Sequence, residues 1–248
     1  MEILTNPNVL HPFLATLGAS LAVLTLHAIW RFVRETRQRI YALNYMCDVS
    51  CRLLEATLII KKHTILPHLG AIEKVVEGDE ELLATLFLSD DFDILTDPPL
   101  EFPNLPNDYS LLIGYDNMVL HQKFETLRFL YRGERTRQSF NNFVKAKLKS
   151  ALIFNEMSPN EQHDTLFTYH DYLSRIQGEQ DRVLFFIVNM LVKDLEDYSA
   201  KRRFCLFSTK YAQSKLADMK RISARSKELL PGDDFLETRR LGGIQGYL

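Results

Sequence analysis

From Ile3 to Trp30 the chain carries no Asp, Glu, Lys or Arg. Within that window, Leu10 to Val33 reads LHPFLATLGASLAVLTLHAIWRFV. A bilayer's hydrocarbon core is about 30 Å thick, and a helix rising about 1.5 Å per residue crosses it with about 20 residues. Length and composition therefore predict a transmembrane helix over residues 9–33, preceded by a short extracytoplasmic N-terminus, residues 1–8. Pro12 stands near its start, where a helix tolerates the missing N–H. Trp30 and Phe32 fall at the far edge, where aromatic rings favour the headgroup zone. A secretory signal peptide would need a positive leader and a small-residue cleavage site. Here Glu2 is the one charge before the apolar run, and no cleavage site follows.

Charge asymmetry sets the expected orientation. Arg31, Arg34, Arg37 and Arg39 follow the span, while its N-terminal flank has no Lys or Arg. Positive flanks stay in the cytoplasm. The expectation is a single-pass protein of the cell (inner) membrane, N-terminus outside, with Trp30, Arg31, Arg34 and Arg37 as interface anchors. Three Cys in 248 residues agree with a reducing cytoplasm for the remainder. Inside the span, Ala15 and Ala19, and Gly18 and Ala22, stand four apart. Small residues at that spacing let two helices approach closely, so these four are the candidate contact of a homo-oligomer.

Beyond the arginines the apolar positions take helical steps. Ile40, Leu43, Cys47, Cys51, Leu54, Leu58 and Ile65 define one stripe, predicting a rod from about residue 9 to about 66 that Pro67 ends. The stripe leaves open whether its own chain or a second copy covers it. A second helix is expected from His68 to Leu88. Residues 89–108 hold four of the nine prolines and read as an acidic loop. A helix carrying Leu111, Leu112, Tyr115, Val119, Phe124, Leu127 and Leu130 follows to about Tyr131, with Gly133 at its end. Another covers roughly residues 137–155. Ser158, Pro159 and Glu161 then form a helix start with N-cap, N1 and N3 residues in place. Helix is expected from there to about Gly178, and again from about Glu179 to Leu230.

The run VLFFIVNMLV, Val183 to Val192, is too short to span a bilayer and reads as the centre of a bundle. No segment alternates with period two. The expected fold is all-α: a single N-terminal transmembrane helix continuing into a cytoplasmic helical bundle over residues 34–230, with a loose tail from 231 to 248.

The net charge of −2 conceals separated blocks. Residues 75–122 hold eleven acidic residues and no Lys or Arg, and residues 199–227 hold nine basic residues and one acidic, Asp218. Antiparallel neighbours in one bundle that exchange complementary charge account for this pattern. The sharper reading takes Lys201, Arg202, Arg203, Lys210, Lys215, Lys220, Arg221, Arg225 and Lys227 as a docking surface for lipid headgroups or other phosphates. The overall balance offers no basis for a general nucleic-acid binder.

The chain has no phosphate-binding glycine loop, no GxSxG elbow and no HExxH. His163 and His170 stand two turns apart, too far to share one metal unaided. Cys47 and Cys51 lack two further zinc ligands nearby and fit the apolar stripe better. Asp90, Asp91, Asp93 and Asp97 miss the EF-hand spacing. The Arg–His spacing of HEPN-type ribonucleases is also absent. These residues predict no enzyme, no cofactor and no metal. The expected function is that of a membrane-anchored scaffold, adaptor or sensor acting through protein contacts. The alternative is an oligomeric effector that alters membrane permeability under a ligand's control, a layout similar to small membrane-anchored effectors of bacterial defence.

Overall fold

The stripe on the first helix decides the architecture. In the computed structural model, which describes residues 7–76, 117–131, 134–148, 154–202, 208–232 and 235, helix α1 runs unbroken over Pro7–Ile60. Ile40, Leu43, Cys47, Cys51, Leu54 and Leu58 on that helix are all buried, as is Ile65 beyond its end. Helices of the same chain cover the stripe, so it needs no second copy.

Pro67 does not stop the helix. A π-helical turn, Lys61–Ile65, passes directly into α2, Leu66–Val76. At its exit the Leu66 N–H donates to the Lys61 carbonyl, a five-residue step in place of four. That wider turn relieves the clash between a proline ring and the carbonyl one turn earlier, while the missing N–H costs the ladder one bond. The predicted end near residue 66 is therefore corrected to a continuous rod over residues 7–76.

Helix α3, Met118–Tyr131, buries Leu120, Phe124 and Leu127. Val119, one of the apolar residues this helix carries, is exposed, because the inward stripe runs through Leu120. Helix α4 spans Glu134–Lys147. Helix α5, Pro159–Phe185, begins with the predicted capping box: Glu161 N–H donates to Ser158 Oγ at 3.4 Å and Ser158 N–H to Glu161 Oε2 at 2.9 Å. Gly178 does not interrupt it. The glycine is buried within the helix, and the chain continues through a second π turn, Phe186–Leu191, into α6, Val192–Lys201. The real break falls after Lys201, ahead of α7, Lys210–Arg225, and a short 3₁₀ turn, Lys227–Leu229. Among the described residues there is no strand. The expected loop 89–108, the helix starting at 68 beyond Val76, and most of the tail lie outside the described residues. Phe235, however, is buried and packs its ring 5.5 Å from that of Phe185, so the tail is anchored at that point.

Two pairs of contacts fix the directions of the helices. His68 and Tyr169, and Lys61 and Asp181, pair α1–α2 with α5 in antiparallel sense. Asp48 meets Tyr211 while Lys61 meets Leu229, so α7 runs parallel to α1. Two apolar clusters result. The larger gathers Leu43, Leu54, Phe124, Leu184, Ile187, Leu195, Leu216 and Met219, and includes the centre of the VLFFIVNMLV run. The smaller gathers Ile65, Ile72, Phe140, Phe154, Tyr169 and Leu173 around the far end of the rod.

Candidate functional site

Before it reaches the bundle, the rod is bare. Every residue from His11 to Phe32 is exposed, including Leu14, Leu21, Leu24, Ile29 and Trp30. It is the one helix among the described residues long and apolar enough to cross a membrane. In water such a surface would cost about 25 cal/mol for each Å² left exposed, and soluble monomers rarely tolerate contiguous patches of this kind. Thr16 and Thr25 spend their hydroxyls on their own helix, donating to the carbonyls of Pro12 and Leu21 at 2.8 and 2.7 Å. Ala15, Gly18, Ala19 and Ala22 lie within this exposed stretch. A methyl group added at Gly18 would meet no atom within 4 Å.

At the bundle end of the bare segment stand the arginines. Arg31 Nε donates to Glu35 Oε1 at 2.8 Å, and Arg39 Nη2 lies 3.6 Å from Glu35 Oε2. The hydrogen bond from Arg31 leads the causes that hold the Glu35 carboxyl below its usual range. Arg34 packs its guanidinium over the Trp30 ring at 5.5 Å. Arg37 lies over Tyr41 at 5.3 Å and also donates to its hydroxyl. The signals were present in the sequence as four-residue spacings, Trp30 to Arg34 and Arg37 to Tyr41, but charge counting alone treats all four arginines alike.

The basic residues of the C-terminal helices differ in how their charge is met. Lys215 faces Asp48 on α1 at 3.5 Å, Lys220 reaches Glu196 on α6 at 2.6 Å, and Arg221 pairs with Asp218 at 2.7 Å. Arg202 lies over the Tyr198 ring at 4.8 Å. Lys201, Lys210, Arg225 and Lys227 are exposed. Arg203 lies outside the described residues. Ion pairs thus take up the middle of α7, and Lys210, Arg225 and Lys227 at its ends have no carboxylate partner among the described residues.

Asp48 organises the α1–α7 seam. It accepts a hydrogen bond from Tyr211 Oη at 2.8 Å and pairs with Arg52. Partial burial pushes its carboxyl up, but the Tyr211 and Arg52 hydrogen bonds and the charges of Arg52 and Lys215 outweigh that and hold it below the usual range. The same hydrogen bond raises the Tyr211 phenol. Deeper in, Lys61 is almost fully buried, with Asp181 as its partner. Sequence reading missed this pair because Lys61 sits in a charged run, KKH, whose neighbours are exposed.

Cys47 and Cys51 are free and buried, and burial drives both thiols up, away from the reactive thiolate. His163 is exposed beside Asp164. Among the described residues no cluster of His, Cys, Asp or Glu has the makings of a metal site. A shallow groove runs between the end of α1 and the end of α7, lined by Glu55, Leu58, Ile59, His63, Ile222 and Leu229. No protein-family model, no curated protein and no solved structure matches this chain.

Proposed function

We propose that the protein is a single-pass protein of the cell membrane, anchored by residues 9–33 with its N-terminus outside. Its cytoplasmic helical domain acts as a scaffold, adaptor or sensor through protein contacts and carries out no chemistry of its own. One observation carries this reading: a helix exposed on every side and free of Asp, Glu, Lys and Arg over residues 11–30 continues, without a break, into the buried central helix of a packed bundle. A helix hydrophobic all round belongs in a core or in lipid, and this one has no core around it. Continuity gives the anchor and the bundle one rigid axis, so tilt or association of the anchor moves the bundle with it. Self-association along Ala15, Gly18, Ala19 and Ala22 is part of the proposal, supported by the open space around Gly18.

Crosslinking in native membranes followed by pull-down with the full chain tests the scaffold role. Reproducible partners that bind the cytoplasmic domain are the expected result. Dye leakage from vesicles holding the full chain, with no partner recovered, would instead favour the permeability-altering effector.

A further inference from the structure

The four arginines after the apolar segment differ in how their charge is met. Arg31 and Arg39 share the carboxylate of Glu35. Arg34 and Arg37 have neutral aromatic partners, Trp30 and Tyr41, and no carboxylate partner among the described residues. An aromatic face orients a guanidinium without cancelling its charge, and it leaves the in-plane N–H donors of Arg34 free. Residues 30, 34, 37 and 41 follow four-, three- and four-residue steps, so they share one side of α1. That side is exposed, whereas Thr36, Ile40 and Leu43 turn into the bundle. Arg34 and Arg37 are neighbours on it, with Cβ atoms about 5–6 Å apart. Arg34 turns back toward Trp30 and keeps its whole fork, while Arg37 turns forward toward Tyr41, gives it Nε and Nη2, and keeps the outer edge of its guanidinium, so both present positive charge and unspent N–H donors to phosphate oxygens.

We propose that Arg34 and Arg37, oriented by Trp30 and Tyr41, form a binding surface for the headgroup phosphates of anionic phospholipids of the inner leaflet. The inference rests on the membrane topology given above. Under that topology the pair begins just past Val33, at headgroup depth. Exposed Val23 and Leu26, two turns and one turn before Trp30, offer the acyl chains an apolar surface on the same side. The paired cations of α7 contribute nothing comparable, since Lys215, Lys220 and Arg221 already face carboxylates.

Trp30 is the sole tryptophan of the chain, so its fluorescence reports on this site alone. The full-length protein is reconstituted into phosphatidylcholine vesicles containing either brominated phosphatidylglycerol or brominated phosphatidylcholine, whose bromines quench an adjacent indole. The expected result is preferential quenching by the anionic lipid, about fivefold for each engaged cation. Arg34→Gln combined with Arg37→Gln should bring that preference close to one. Arg31→Gln combined with Arg39→Gln removes the same charge and should leave it standing. Equal quenching by both lipids in the native protein would overturn the site, and so would equal loss of preference in both double variants, which marks a diffuse field. Absence of quenching by either lipid would overturn the membrane anchor itself.

Discussion

Lys61 Nζ lies 2.6 Å from Asp181 Oδ1 and donates, at the same distance, to the backbone carbonyl of Leu229. One buried ammonium thus joins three separate parts of the chain: the π turn of the long rod, helix α5 and the turn that ends α7. Removing one partner of a buried pair strands the other charge, at a cost of about 3–5 kcal/mol. Lys61→Ala should therefore destabilise the bundle strongly in thermal or denaturant unfolding of the solubilised full chain. Lys61→Met combined with Asp181→Leu should recover most of that loss. A single variant as stable as the native protein would show that the pair is not closed in solution.

The Asp48–Tyr211 bond predicts a pH profile. The Asp48 carboxyl is held below its usual 3.8, so its contribution to stability is complete above that value and is lost as pH falls through the lower, folded-state value. Tyr211 is raised above its usual 10.0, so its contribution is present below that and is lost as pH climbs through the higher folded value. The share of the melting temperature that this pair supplies should stay level between these limits and fall at both ends. Asp48→Asn should flatten the acid limb, measured between about pH 5 and pH 2.

Ser158 caps α5 through a reciprocal pair with Glu161. Ser158→Ala should lower the melting temperature by about 2–4 °C while leaving the size of the assembly unchanged. Ser158→Asp, which keeps a cap acceptor, should restore it. An unchanged melting temperature in the alanine variant would mean that the first turn of α5 does not bear on the stability of the fold.

Much of this architecture is visible in the residues because helices advertise themselves locally. The stripe from Ile40 to Ile65 is buried at every predicted position, and the Ser158 box forms as its residue order implies. What escaped were features that tertiary packing decides. Pro67 looked like a terminator, yet a π turn carries the helix through it. Gly178 looked like a break, yet it sits buried in a continuous helix. The charge blocks suggest exchange between antiparallel neighbours, whereas α7 lies parallel to α1 and meets Asp48 there, a pairing that only the packing reveals. The difference among the four arginines likewise needs geometry: Glu35 serves two of them and aromatic rings the other two.

The proposed self-association rests on the small residues of the apolar segment. Gly18→Ile together with Ala22→Ile should reduce the mass of the detergent-solubilised assembly by light scattering, because bulk at those positions holds two helices apart. An unchanged mass would remove these residues from any contact.

The central claim is that residues 9–33 live in lipid with the bundle on the cytoplasmic side. Its most direct test is the full-length chain with a C-terminal fluorescent reporter that matures only in the cytoplasm, fractionated without detergent. The account predicts fluorescence confined to the membrane pellet and retained there after alkaline carbonate washing. Full-length fusion recovered in the soluble fraction, or a membrane-bound reporter that stays dark because it faces outward, would contradict it.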